Sequence, residues 1–206
     1  MARTQVSRRD SILESAAALF ASKGVSATTV REIADEVGVI SASLYHHFES
    51  KEAIVDAIVS TYLDDLRARY KAVLALDGDP RTRLNELFLA SLEVAERHPH
   101  ATEIYQNDFN YLTQIDRFAY LKTAAREVRA TWMQVINAGI TEGEFRSDID
   151  PKILYQAMRD ALWQSVRRFK PTPAYPVSRL ARECASLFLD GIGARPPAKA
   201  NGRRSR

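Results

Sequence analysis

The chain has 206 residues, 46% of them hydrophobic and 27% charged, which fits one large domain or two small ones and excludes a largely disordered, collagen-like or disulfide-scaffold protein. Its formal net charge of +3 is unevenly placed, because Arg195, Lys199, Arg203, Arg204 and Arg206 have no acid among them. Without these five, 24 basic residues face 26 acids, a net of −2, so the basic character belongs to the C-terminal end.

In chain order, Ile12, Ala16, Leu19 and Phe20 recur at helical spacing and stop at Gly24, which predicts a first helix over residues 8–23. Thr28 or Thr29 then offers a capping hydroxyl, and Glu32 stands three residues after Thr29 as the acid of a capping box. Val30, Ile33, Ala34 and Val37 form one apolar face of a short second helix, residues 29–37. Gly38 ends it, since glycine takes the left-handed conformation without steric penalty. After Val39 and Ile40, Ser41 is placed to cap a third short helix, residues 41–47, which turns Leu44 inward together with Phe48 just beyond it. Ser50 caps a long fourth helix, residues 50–74, carrying Ile54, Ile58, Tyr62, Leu66 and Tyr70.

Asp79 and Pro80 form a cap and first-turn pair that opens a helix with Leu84, Leu87, Phe88 and Leu92, ending before Pro99. Residues 101–112 follow, rich in aromatic and amide groups, and then a long helix over 116–139 that stops at Gly139. Asp150 and Pro151 repeat the cap device for a helix reaching Arg168, Pro171, Pro173 and Pro176 enforce a linker, and a last helix covers 178–190 until Gly191 and Gly193 stop it. Such a chain is all-α. It divides into a head, residues 1–50, a helical bundle, residues 51–193, and a basic tail, residues 194–206, that is expected to be disordered.

Several function classes fall on the same pattern. No apolar run approaches the roughly 20 residues that a membrane helix requires. The polar start lacks an apolar signal core and Cys184 is the only cysteine, so a reducing cytoplasm is the expected compartment, with Cys184 a small core residue. The four histidines have no metal-ligand spacing, and no nucleophile, base and orienter set or phosphate loop is present, so neither an enzyme nor a cofactor is expected.

Two short helices around a tight glycine turn, braced by a helix on each side, describe a helix-turn-helix unit; the turn by itself also fits a hairpin in an ordinary bundle. The outward positions of the third helix, Ser41, Ala42, Ser43, Tyr45 and His46, are small or hydrogen-bonding and carry no carboxylate to repel phosphate. Residues 1–51 hold six basic and six acidic side chains. DNA binding by so neutral a head depends on placed hydrogen bonds more than on a broad basic field.

The ordered run of Thr28, Thr29, Val30, Arg31, Glu32, Ile33 and Ala34, then Gly38 and Val39, then Ser43 to Phe48, then Ser50, Lys51 and Glu52, resembles the DNA-binding domain of TetR-family transcriptional regulators. The resemblance implies an amino-terminal three-helix helix-turn-helix domain and a carboxy-terminal helical bundle for ligand binding and dimerisation. It implies a homodimer in which each recognition helix enters one major groove of a palindromic double-stranded operator. Thr29, Tyr45, His46 and Lys51 match phosphate-contacting positions, and Arg31, Ser41, Ala42 and Ser43 match positions at or beside base edges. The last two long helices, with Leu154, Tyr155, Met158, Leu162 and Val166 on one and Leu180, Cys184, Leu187 and Phe188 on the other, match the pair that forms a four-helix dimer interface. Periodicity alone fits an intramolecular core equally well.

Arg159 and Trp163 share one helix face in a mostly apolar stretch, where an arginine is expensive to bury unless it meets an anionic ligand or an acid such as Asp160 or Asp108. Arg167, Arg168 and Lys170 suit either a phosphate-bearing effector or a solvated helix terminus. Four segments, 98–108, 117–121, 142–150 and 159–171, are similar to the actinobacterial KstR-type repressors of the second cholesterol-catabolic regulon, which govern degradation of steroid rings C and D. That similarity runs from about residue 8 to residue 193 and leaves out the two ends. It implies release from DNA by a small-molecule effector, the acyl-CoA thioester of an indanedione propionate, with Arg159 and Trp163 at ligand-contacting positions. Tyr105, Phe109 and Trp132 complete the candidate ligand set. A TetR-type regulator of efflux or lipid genes answering to another hydrophobic ligand is the alternative.

Overall fold

The structure, a computed structural model, describes residues 7–192; the expected basic tail, residue 193 and residues 1–6 lie outside the described residues. Among the described residues nine helices follow one another: α1 Arg8–Lys23, α2 Val30–Val37, α3 Ser41–Tyr45, α4 Lys51–Leu74, α5 Pro80–Arg97, α6 Pro99–Leu112, α7 Tyr120–Thr141, α8 Pro151–Arg168 and α9 Val177–Ile192. A 3-10 turn, Asp116–Phe118, precedes α7, and an isolated bridge joins Thr172 to Tyr175 in the proline-rich segment.

Side-chain caps start four of these helices where the sequence places them. The Thr29 hydroxyl accepts from the Glu32 amide while the Glu32 carboxylate accepts from the Thr29 amide, so both orphan donors at the start of α2 are satisfied. Ser50 accepts from the Ala53 amide at 3.1 Å, and Asp79 from the Thr82 amide at 2.6 Å. At α8, Asp150 accepts from the Lys152 amide at 2.8 Å, and prolines occupy the first turns of α5 and α8.

Helices α1 to α3 bury Ile12, Ala16, Phe20, Ile33 and Leu44 against one another and against Phe48 and the start of α4. The 24 residues of α4 span about 36 Å, long enough to run from this head deep into the body. In the body α5 is the central helix, with Leu84, Leu87, Phe88 and Leu92 buried and with α4, α7, α8 and α9 packed around it.

Four local expectations change. Helix α3 is a five-residue element, and Ile40, not Ser41, takes its cap position with no side-chain hydrogen bond. His98 alone separates α5 from α6, because Pro99 starts a new helix at once. The expected helix over 116–139 is a 3-10 turn followed by α7, which runs through Gly139 to Thr141. Gly139 is there for space: a Cβ on it would lie 2.2 Å from the buried Phe145 ring, and Gly143, at φ +76°, is the residue that takes the left-handed turn. In the same way α9 passes through Gly191 instead of stopping at it.

Candidate DNA-binding face and ligand cavity

On the head, Ala42, Tyr45 and His46 are exposed at α3, whereas Ser41 and Ser43 are partly buried. Arg31 projects into solvent from α2, its guanidinium 3.9 Å from Asp35, and Thr29 is exposed at the cap of the same helix. Arg9 lies over the Phe48 ring at 4.9 Å, which ties α1 to the end of the recognition segment.

Lys51 has a more definite place. Its ammonium donates to the Val25 carbonyl at 2.7 Å and to the Thr28 carbonyl at 2.9 Å, so two of its three donors brace the turn between α1 and α2 and one remains. Val25 is also held through its amide, which donates to Asp108 of α6 at 3.2 Å. Burial pushes the Asp108 carboxyl above the usual range, and the Val25 amide works against that shift. Besides the packing of α1 on α6, head and body therefore meet at one residue, Val25, whose carbonyl is held from α4 and whose amide is held from α6. A second link lies near the 3-10 turn, where Arg117 pairs with Glu49 and approaches Asp56 at 3.7 Å, while the Tyr120 hydroxyl donates to Asp56 at 2.9 Å.

The body encloses a cavity of about 510 Å³ between α4, α5, α6, α7 and α8. All five expected ligand residues line it: Tyr105, Phe109, Trp132, Arg159 and Trp163. Tyr62, Tyr105 and Phe109 form an aromatic wall, with ring centres 5.6 Å and 5.5 Å apart. Across the floor a hydrogen-bond chain runs from the Trp132 indole to the Tyr70 hydroxyl at 2.9 Å, from Tyr70 to the Ser91 hydroxyl at 2.7 Å, and from Ser91 to the Leu87 carbonyl at 2.6 Å. Ser91 donates to Leu87, so Tyr70 is the donor to Ser91, and every donor of the chain is committed. Burial, opposed by the bonds with Ser91 and Trp132, pushes the Tyr70 hydroxyl up to about 12 and keeps it neutral. The floor thus carries no charge.

Charge collects at the rim. Arg159 is half exposed and donates to Asp160 at 2.8 Å, so it is neither buried nor dependent on a ligand for a partner; of the two acids considered, Asp160 meets it and Asp108 is spent on the head. Its guanidinium and that of Arg129 lie 6.0 Å and 5.9 Å from the Tyr155 ring centre, and Arg167 lies 5.7 Å from that of Trp163. Sequence reasoning missed Arg129, whose approach to the mouth depends on α7 crossing α8.

On the outer face of α8 and α9, Leu187 is 77% exposed and Ile153 56%. Leu154, Tyr155, Met158 and Leu162, placed by resemblance at a dimer interface, are buried within the protomer instead. Leu180, Cys184 and Phe188 are partly buried against the body, with Phe188 5.8 Å from the Phe88 ring.

Two family models match the chain: bacterial regulatory proteins of the tetR family over residues 12–58, and the tetracyclin repressor-like C-terminal domain over residues 77–192. The chain is 42% identical over 185 residues to the HTH-type transcriptional repressor KstR2 of Rhodococcus jostii, covering 90% of this chain and 91% of that one. It is 42% identical to the KstR2 repressor of Mycobacterium tuberculosis, over 90% of this chain and 93% of that one. The solved structure of the ketosteroid transcriptional regulator KstR2 of Mycobacterium tuberculosis superposes with a TM-score of 0.86 at 41% identity, covering 92% of this chain and 96% of that one.

Proposed function

The chain belongs to the TetR family of bacterial regulatory proteins, and from that premise we propose a steroid-responsive repressor that binds a palindromic operator as a dimer and leaves it when a CoA thioester fills the cavity. The effector class is the CoA thioester of a steroid-ring catabolite such as an indanedione propionate. One observation carries this reading: a single cavity joins an aromatic, uncharged floor to a mouth where Arg159, paired with Asp160, is flanked by Arg129 and Arg167 on the lining rings of Tyr155 and Trp163. Fused rings suit the floor because they bury apolar area without bringing charge, and phosphates suit the rim because arginine recognises them bidentately.

Release is a two-state matter. The effector lowers operator affinity only by preferring a conformation in which the recognition helices no longer fit half-sites one helical turn apart. Helix α4 is a natural lever because it begins in the head and lines the cavity with Tyr62, Leu66 and Tyr70. Helix α6 is the second, since Tyr105 and Phe109 face the cavity while Asp108 holds the Val25 peptide.

A footprint on the promoter beside the protein's own gene tests the reading. Protection of a palindrome is expected, and it should vanish when the thioester is added. A parallel thermal-shift screen should show stabilisation by steroid CoA thioesters and none by lipophilic cations. Stabilisation by the cations alone would replace this effector class with that of an efflux regulator.

A further inference from the structure

The residue that stands out on the DNA-facing side is Ile40. It is 74% exposed, the most exposed large hydrophobic residue of the head, and it occupies the cap position of α3 with no side-chain hydrogen bond. A hydroxyl or carboxamide at that position stabilises a helix by about 1 kcal/mol relative to an aliphatic side chain, so isoleucine forgoes a local gain. It also packs on nothing in compensation, whereas its neighbour Val39 is partly buried against the core. An aliphatic side chain exposed at the turn before α3 gains free energy when a contact outside the protomer removes it from water.

Its surroundings identify the contact. Ile40 is followed directly by Ser41 and Ala42, with exposed Tyr45 one turn further along, so it continues the surface that a recognition helix presents to a major groove. Within that groove one base offers an apolar group, thymine, through its C5 methyl. Phosphates and the other base edges offer an aliphatic side chain nothing it can bind. We propose that Ile40 is a specificity-determining residue that packs on a thymine methyl in each operator half-site. The assignment rests on the operator-binding reading above and adds to it a base and the atom that is read.

Selection of random duplexes by the full-length chain, followed by competition with single-base variants of the enriched site, tests this. The wild type should enrich a half-site with a fixed thymine, and replacing that thymine with deoxyuridine, which lacks only the methyl, should weaken binding about fourfold per half-site. The Ile40→Ala variant should bind the thymine and deoxyuridine duplexes equally. Ile40→Ser, which restores a capping hydroxyl and so guards against a folding artefact, should do the same without a lower melting temperature. Indifference of the wild type to deoxyuridine at every thymine of the half-site overturns the assignment and leaves the operator reading standing. Retained discrimination in Ile40→Ala also overturns it. If no sequence is enriched at all, the operator reading falls and the assignment with it.

Discussion

Hydrogen bonds from Lys23 and from Thr29 hold the Glu32 carboxyl at about 2, well below its ordinary 4.5. A carboxylate whose pKa folding lowers stabilises the fold above its ordinary value, and that contribution is lost as pH falls from 4.5 toward 2. The melting temperature of Glu32→Gln should therefore lie below that of the wild type near neutral pH, with the gap closing across that window; a gap independent of pH would contradict the assignment. Gly139 behaves differently, because its lack of a side chain is what admits the Phe145 ring. Urea denaturation should show Gly139→Ala less stable by about 1–3 kcal/mol, the range for overpacking a tight site. Both residues are plain in the sequence, but only one was legible there. Thr29 and Glu32 act over three residues, so spacing reveals them, whereas the role of Gly139 depends on a ring brought back by a turn, and a terminator is the natural misreading. Ile40 lies between these cases: a large aliphatic side chain just before a serine was visible, yet the nearby hydroxyl claimed the cap.

At the scale of elements, the pairing of Asp108 with the Val25 amide joins residues 83 positions apart, and no local pattern announces it. Helix boundaries were readable because caps, prolines and apolar periodicity are local; the contact between cavity helices and head was not, because it is made at one residue, Val25, held by α4 and α6. Asp108→Ala should retain operator binding and thioester binding but reduce the coupling between them by about 0.5–2 kcal/mol. The ratio of operator affinities with and without thioester measures this. Asp108→Asn keeps an acceptor oxygen and should restore the ratio, which a general packing defect would not allow. Of the five cavity residues, Arg159 and Trp163 were named by the resemblance, and Tyr105, Phe109 and Trp132 join them at one cavity because α6, α7 and α8 pack together. Asp160 was one of the partners the sequence offered Arg159, whereas the half-exposed position of that pair at the rim is a tertiary fact.

For the whole molecule, the exposed apolar side chains of Ile153 and Leu187 sit on the paired helices that the family resemblance assigns to dimerisation. A symmetric interface repeats each substitution on both protomers. Leu187→Glu should therefore weaken self-association more than tenfold in analytical ultracentrifugation and lower operator affinity with it, without lowering the melting temperature of the protomer; an unchanged dimer would move the interface elsewhere. The excess positive charge of the chain has no part in these assignments, since it resides in residues 195–206. What unites head, cavity and dimer is the claim that one ligand governs operator affinity through the cavity. Fluorescence anisotropy of a labelled operator duplex, titrated with protein in the absence and presence of saturating indanedione propionate CoA thioester, tests it most directly. Operator affinity should fall by about 5- to 150-fold, the range of ordinary allosteric coupling, and Trp163→Leu or Arg159→Met should bind the operator normally while weakening the response. Equal affinity with and without a thioester that demonstrably occupies the cavity would contradict the account.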